Sequence, residues 1–167
     1  YSKTVSFSEY ESRSINADGF NKYEFSKSFF LVSGIQYQFM DMNTRTPFGN
    51  VTKESTKFNM IDPYVTGVFT SDFGLNLNVG ARWNIHSQYG NQLVYNVNPS
   101  FGFQSIPLKI ISSYSTAFIT PSLYQLYSNY GNKNLTPEKN RTIEAGFETQ
   151  FYDKKIKWNV VGFYREQ

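Results

Sequence analysis

Three tyrosines, Tyr124, Tyr127 and Tyr130, recur at every third position in a polar stretch of the chain. A phenol ring has an apolar face and a hydroxyl that stays wet, so such a cluster could grip a large planar or greasy ligand. The same rings could equally pack a loop and anchor it at a membrane interface, where amphipathic rings are favoured. Both interpretations remain open, and we predict these tyrosines as the ligand-binding residues.

Pairs of groups suited to catalysis are absent from the sequence pattern. Glu144 and Glu148 would share one face of a strand, but their Cα atoms would lie about 13 Å apart, too far for an acid/base pair. Polar residues lining a wet lumen are the better interpretation. Ser112, Ser113 and Ser115 have no neighbouring histidine to act as a base. We therefore predict a protein that is not an enzyme and has no catalytic residue.

Metal, phosphate and nucleic-acid chemistry find little support either. The chain has no cysteine, and its one histidine, His86, falls where a strand should meet a loop, so we expect it to be solvated. Gly131 begins no phosphate-binding pattern. The net charge of +3 is small and scattered, which argues against a nucleic-acid partner. We predict no metal site and no cofactor.

The composition indicates an all-β protein. Of the 167 residues, 19% are aromatic and only 17% are charged, well below the usual quarter. Tyr, Phe and Thr favour strands, whereas Asn and Ser favour turns. No apolar run is long enough for a membrane-spanning helix. No signal peptide is visible at the start, but processing removes such segments, so this decides little.

Strict alternation of apolar and polar residues predicts the strands that must position these side chains. It is clearest from Gly74 to His86, and it recurs from Leu93 to Gln104 and from Arg141 to Phe151. Pro99 interrupts the second run and predicts a bulge or bend. Weaker strands are predicted at Phe29–Met40, Phe58–Thr70, Leu108–Phe118 and Ile156–Arg165, and two less distinct ones at Thr4–Glu11 and Phe20–Lys27.

Each clear strand is about ten residues long, which matches a tilted transmembrane strand. Arg82, Glu144 and Glu148 all fall on polar faces, consistent with lipid contact on the opposite face. A soluble barrel with its apolar faces turned inward shows the same alternation.

The connections favour the membrane. Short links at residues 71–73, 105–107 and 152–155 alternate with longer ones at 41–57, 87–92 and 119–140. Short turns at one rim and long loops at the other are typical of outer-membrane barrels.

The segment from Phe118 to Glu148 reads FITPSLYQLYSNYGNKNLTPEKNRTIEAGFE. It resembles a stretch in the barrels of TonB-dependent outer-membrane receptors. The matching positions are Phe118, Pro121, Ser122, Leu123, Tyr127, Gly131, Asn132, Asn134, Leu135, Pro137, Glu138, Glu144 and Gly146. GARWNIHSQYG, from Gly80 to Gly90, and the strand order from Phe58 to Tyr164 also look like that family, so the resemblance covers about two-thirds of the chain.

The resemblance implies an antiparallel transmembrane β-barrel in the outer membrane of a Gram-negative bacterium. Such barrels have 22 strands and are filled by a plug domain on which an inner-membrane TonB complex acts. Eight or nine strands can be counted here and no plug-like segment is visible. We therefore expect residues 1–167 to form part of one receptor barrel domain, with outer-membrane lipid, the plug domain and the TonB complex as partners.

The spelling PSLYQLYSNYGN is closest to cobalamin and siderophore receptors, which implies a small metal-chelate ligand. Haem receptors carry a similar pair of boxes with a histidine between them, and residues 121–132 contain none. A complete eight-stranded barrel with an anchoring or adhesive role remains an alternative, as does a soluble lipocalin-like binder. Tyr64, Trp83 and Trp158 are expected on the barrel surface or in its aromatic girdles.

Overall fold

The computed structural model describes residues 7–47, 49–152 and 155–167. The start of the predicted Thr4–Glu11 strand, and Asp153 and Lys154 of the last predicted turn, lie outside these residues. The described residues form nine strands and one short helix: β1 Glu9–Ser26, β2 Phe29–Thr46, β3 Gly49–Val51, β4 Lys57–Thr70, β5 Leu75–His86, β6 Gly90–Gly102, β7 Leu108–Ile119, α1 Leu123–Tyr127, β8 Glu138–Phe151 and β9 Ile156–Glu166.

The strands form one antiparallel sheet in the order β1-β2-β4-β5-β6-β7-β8-β9, with β3 paired to β2. Each main strand therefore lies beside its neighbour in the chain, as in an up-and-down barrel wall. This confirms the predicted all-β fold of partial-barrel type. Within the described residues β1 pairs only with β2 and β9 only with β8, whereas a closed eight-stranded barrel needs its first and last strands to pair.

The sheet has one apolar and one polar face, because side chains alternate along each strand. On the apolar face one row crosses the sheet in register, and its members are Leu31, Gly67, Val79, Val97, Tyr114, Ile143 and Tyr164. Trp83 and Trp158 also lie on this face and are 45% and 58% exposed. Arg82, Glu144 and Glu148 lie on the polar face, as predicted.

Two predicted strands near the start of the chain are in fact one. β1 runs without interruption from Glu9 to Ser26 and pairs along its whole length with β2. The intervening Asn16-Ala17-Asp18-Gly19 has the composition of a turn, but the long partner strand supplies a ladder that outweighs this local preference. Both strands have 18 residues, more than a bilayer requires.

Pro99 does not produce the predicted bulge. It stays in register opposite Leu77 of β5, and the pairing with β7 is only interrupted between Val97 and Ser100. Proline lacks an N–H, so it costs one ladder bond without displacing the strand.

The connections also differ from the prediction. A long loop was expected at residues 41–57. Instead, residues 41–46 continue β2, β3 forms a hairpin with β2, and only a turn at 52–56 follows. The link between β5 and β6 has only three residues, Ser87–Tyr89, so the predicted regular alternation of short and long links fails there. The connection at residues 120–137 remains long, and it contains α1. No helix in the described residues is long and apolar enough to cross a membrane.

Candidate functional site

The long segment 120–137, here called the β7–β8 loop, folds back over the polar face. Leu123 and Leu126 of α1 are 3% and 4% exposed, and Leu123 joins Met42 of β2 and Phe58 of β4 in a hydrophobic cluster. Because β7 and β8 lie three or more strands away from β2, the loop must cross the outer part of the sheet to reach it. It therefore covers this end of the polar face.

A capping box starts α1. The Ser122 hydroxyl accepts a hydrogen bond from the Gln125 N–H at 3.2 Å, and the Gln125 side chain accepts one from the Ser122 N–H at 2.8 Å. These bonds satisfy two backbone donors that a helix start leaves free. Pro121, just before the cap, is buried. The Pro-Ser-Leu of the sequence motif is thus a helix start followed by its anchoring leucine.

The Gly-Asn-x-Asn part of the motif shapes the return of the loop. A Cβ added to Gly131 would lie 2.7 Å from the backbone of Leu126, so only glycine fits this approach. The Asn132 N–H donates to the Gln125 carbonyl at 2.8 Å, and its side chain accepts from the Asn134 N–H at 2.9 Å. These motif positions therefore hold the backbone of the loop in place.

The remaining motif residues lie around the loop and on β8. Phe118 pairs with Lys139 and Glu138 pairs with Ile119, in the two β7–β8 pairs nearest the loop. Pro137 just precedes β8, and the Leu135 carbonyl accepts the Tyr89 hydroxyl at 3.4 Å. Burial, together with the nearby Tyr127, raises the pKa of the Tyr89 phenol above its usual range, so this donor keeps its proton.

The three predicted tyrosines have different surroundings. Tyr124 is 52% exposed and makes an edge-to-face contact with Tyr10 of β1, with ring centroids 5.2 Å apart. Tyr127 is half-buried against the hydrophobic cluster, and the Lys133 ammonium lies 5.5 Å from its ring centroid. Tyr130 is 95% exposed. The three tyrosines thus differ in burial, with Tyr127 packed, Tyr124 partly packed and Tyr130 open to solvent.

From the sequence, His86 is expected to be a solvated residue. In the structure it is instead buried at the end of β5, with 3% of its surface exposed. Its ring lies 4.6 Å from that of Phe58, and its Nδ1 accepts from the N–H groups of Gln88 and Tyr89. Its Nε2 has no hydrogen-bond partner in the described residues. The imidazole thus shapes the three-residue turn that follows it.

A polar network on the same face joins four neighbouring strands. Arg82 of β5 donates to the Gln36 side chain of β2 at 2.5 Å and lies 3.6 Å from the Asp62 carboxylate of β4. Its guanidinium also lies 5.0 Å from the centroid of the Tyr64 ring, and the Tyr64 hydroxyl donates to Asp18 of β1 at 3.2 Å. Tyr64 is therefore a polar-face residue and not a girdle residue, contrary to the prediction.

Glu144 and Glu148 both lie on the polar face of β8, opposite residues of neighbouring strands. Glu144 is in register with Ser113, whereas Glu148 lies 3.5 Å from the Lys157 ammonium and accepts from the Asn159 amide. No group of three or more potential metal ligands occurs among the described side chains.

Sequence reasoning missed both the Arg82 network and the anchoring cluster. The alternation placed Arg82 on the polar face, but the partners Gln36, Asp62 and Asp18 depend on strand register, which alternation does not supply. Met42 could not be recognised because β2 was predicted to end at Met40.

Comparison with known proteins agrees with this architecture. The family described as "TonB dependent receptor-like, beta-barrel" matches residues 2–167. The vitamin B12 transporter BtuB of Vibrio cholerae serotype O1 is 37% identical over 89 residues, which cover 52% of this chain and 14% of BtuB. The chain thus spans a small part of that relative's length.

Solved receptor structures share the fold. A mutant of the ferric enterobactin receptor PfeA from Pseudomonas aeruginosa superposes with a TM-score of 0.73 at 18% identity, covering 85% of this chain and 25% of PfeA. The siderophore receptor PirA from the same organism gives 0.71 at 20% identity, covering 95% and 31%. The copper transporter OprC gives 0.73 at 12% identity, covering 93% and 29%. From the family match over nearly its whole length, the chain belongs to the TonB-dependent receptor β-barrel family.

Proposed function

We propose that this chain forms part of the barrel of an outer-membrane receptor that takes up a scarce nutrient using energy from TonB. The observation that carries this proposal is the family match over residues 2–167, supported by barrel neighbours that are named as receptors and transporters. The role is one of binding and transport, not catalysis. The protein resides in the outer membrane of a Gram-negative bacterium.

The apolar face supports the membrane placement. Val79, Ile143 and Phe147 are each between 38% and 50% exposed on this face, and nothing in the described chain covers them. A soluble lipocalin-like binder would bury such a face around its ligand. Exposed apolar surface of this extent is stabilised when it contacts lipid.

The ligand class we propose is a small metal chelate, either a corrinoid or a ferric siderophore. The Vibrio relative is named a vitamin B12 transporter, and the structural neighbours include receptors named for ferric enterobactin and for siderophores. Both ligand types are large and partly apolar, which suits recognition by aromatic rings that keep their hydroxyls wet.

We assign ligand contact to Tyr130 and the exposed side of Tyr124, with Tyr127 supporting them from below. Tyr130 is almost fully exposed, so its ring can be buried by a ligand without disturbing the loop. Tyr127 packs on the hydrophobic cluster, so its loss would affect ligand binding indirectly, by changing the conformation of the loop. A plug domain and the TonB complex are the further partners that this function requires.

Uptake by cells that lack other receptors for the chosen chelate tests the proposal. The intact receptor should support accumulation of labelled cobalamin or ferric siderophore only when TonB is functional. Accumulation that persists without TonB would contradict energised transport.

Binding to the intact receptor tests the ligand assignment separately. Tyr130→Ala should weaken chelate binding while leaving the amount of assembled barrel unchanged. Tyr152→Ala is the matched control, because Tyr152 is 79% exposed at the opposite rim. Equal affinity of the Tyr130 variant and wild type would remove Tyr130 from the site.

A further inference from the structure

The wall between β6 and β7 opens towards the rim that carries the β7–β8 loop. These strands pair from Gly102 opposite Lys109 up to Asn96 opposite Ser115, and no pair beyond this point occurs in the described chain. One step further, the Thr116 hydroxyl replaces the ladder: it accepts from the Tyr95 N–H at 2.9 Å and donates to the Tyr95 carbonyl at 3.3 Å. Side-chain bonds thus hold the strands where backbone bonds end.

A cavity of about 360 Å³ fills this opening, here called the β6–β7 cleft. Its lining includes Leu93, Tyr95, Tyr114, Lys139, Arg141 and Glu166. The rings of Tyr95 and Tyr114 lie 5.8 Å apart, and Leu93 is 45% exposed. One side of the cleft is therefore apolar and aromatic.

Two cations stand on the other side of the cleft. Arg141 is in register with Thr116, and Lys139 with Phe118. Both residues are an even number of positions from Ile143 and Phe147, so their side chains lie on the same apolar, lipid-directed face. A cation on that face is costly in mid-membrane, where an Arg would cost about 2–4 kcal/mol, but not at its border.

The position along β8 places both cations at that border. Arg141 precedes Phe151, the last residue of β8, by ten positions and Lys139 by twelve. At about 3.3 Å per residue and a tilt of about 40°, they lie roughly 25 and 30 Å above the short-turn rim. The apolar band of such barrels is about 25 Å tall, so both ammonium and guanidinium groups reach headgroup level.

The cations retain capacity for an anion. Arg141 Nε lies 3.1 Å from the Glu166 carboxylate, which leaves the two terminal nitrogens of the guanidinium available. No ion pair of Lys139 occurs among the described residues. With one carboxylate against two cations, the mouth of the cleft carries a net positive charge.

We propose that the β6–β7 cleft binds the phosphate-bearing headgroup of a lipid in the outer leaflet. Lys139 and Arg141 hold the phosphate, since guanidinium and ammonium groups are the usual phosphate donors. Tyr95 and Leu93 contact the first part of the acyl chains. This inference rests on the membrane placement proposed above.

Titration of the intact receptor in neutral detergent with a fluorescent bisphosphorylated glycolipid tests the cleft. The double variant K139Q/R141Q should bind this lipid more weakly, by about fivefold for each cation removed. The matched control is K157Q/R165Q, which removes the same charge from the polar face, where these side chains contact Glu148 and Thr142. The control should bind like wild type.

Three outcomes would overturn the proposal: equal binding by K139Q/R141Q and wild type, equal binding of the dephosphorylated glycolipid, or full displacement of the lipid by inorganic phosphate. The last would show a site for free anions only. Membrane fractionation and uptake measured on the same variants keep this test apart from the proposed function. A receptor that assembles and transports its ligand, but shows no preference for the phosphorylated lipid, would refute the lipid site in the cleft. It would leave the proposed transport function intact.

Discussion

At the residue scale, the motif that resembles the receptor family encodes the conformation of a loop. Ser122 caps α1 and Leu123 anchors it. Because Gly131 has no Cβ, the Leu126 backbone can lie within 2.7 Å of the position that such a Cβ would occupy. We propose above that the ligand is contacted by the tyrosines between these positions, of which Tyr124 packs on Tyr10 and Tyr127 on the hydrophobic cluster.

Gly131→Ala should therefore loosen the β7–β8 loop. The added Cβ would overlap backbone atoms of Leu126, and such overpacking costs about 1–3 kcal/mol. Faster protease cleavage within the loop of the intact receptor would report this. Gly90→Ala is a useful contrast, because space around Gly90 is open and only its positive φ of 72° is strained. Cleavage of both variants at the wild-type rate would contradict the steric argument.

Arg82 provides a second residue-scale prediction. Its removal would leave Asp62, which is 2% exposed, without its only cationic partner within 4 Å in the described chain. Breaking such a pair from one side costs more than replacing both partners. Arg82→Gln should thus lower the unfolding temperature of the intact barrel, and the double variant R82Q/D62N should recover part of the loss. The temperature at which the folded, fast-migrating band disappears from gels measures both. No recovery in the double variant would exclude this explanation.

Side-chain positions could be predicted from the sequence only as far as alternation reaches. Arg82, Glu144 and Glu148 were assigned to the correct face, because a period of two fixes the face of every residue in a strand. Tyr64 was misplaced, since aromatic type alone does not distinguish a girdle position from a polar-face position. The burial of His86 depends on a ring from the neighbouring strand and on a turn of three residues.

At the element scale, the limits of four strands were predictable and several connections were not. β4, β5, β7 and β9 begin and end within one residue of their predicted limits, because each carries several alternating positions between polar turns. β1 and the end of β2 were missed because pairing between two long strands outweighs turn-like composition. Within the long loop, α1 has five residues and depends on tertiary packing, which no local periodicity reports.

The strand faces can be tested with one charged probe on neighbouring positions. Val79→Arg should impair assembly in the outer membrane, since Val79 is 41% exposed on the apolar face of mid-β5 and an Arg there costs about 2–4 kcal/mol. Asn78→Arg, one residue away on the polar face, should be far milder. The amount of folded receptor in purified outer membranes measures the difference. Equal tolerance of the two changes would invalidate the face assignment.

The docking of α1 is the second property of an element that can be tested. Leu123→Ala should release the helix from Met42 and Phe58, because truncating a buried leucine costs about 2–5 kcal/mol. The matched control is Leu135→Ala in the same loop, since Leu135 is 37% exposed. Hydrogen exchange of the α1 amides should rise in the first variant and stay unchanged in the second. Unchanged exchange in both would show that the cluster does not hold the loop.

At the scale of the whole molecule, the asymmetry of the sheet defines two environments. β1 and β2 continue beyond the other strands, and their outer parts carry charge pairs between Glu9 and Arg45, Glu11 and Lys53, and Arg13 and Asp41. Such groups are stable in water and costly in lipid. The opposite rim carries the turns at 71–74 and 103–107, where the Phe101 ring lies next to those of Phe73 and Phe103. With the membrane placement proposed above, the charged extension lies in water and the aromatic border marks the other end of the lipid-contacting part of the sheet.

The orientation of the barrel in the cell follows from this asymmetry. With the β7–β8 loop outside, single cysteines introduced at Gly49, Tyr130 and Lys133 should react with a membrane-impermeant maleimide on whole cells. Cysteines at Asp72 and Lys155, in the short turns, should react only after the outer membrane is opened. These 167 residues contain no cysteine, and the unsubstituted receptor labelled in parallel gives the background from the rest of the protein. Since position 130 is exposed and the proposed ligand covers it, chelate added at a concentration that saturates the weakened Tyr130→Cys variant should slow labelling there but not at Gly49. Labelling of both rims in intact cells would contradict the orientation, and labelling of Tyr130 that ignores the chelate would separate the loop from the ligand site.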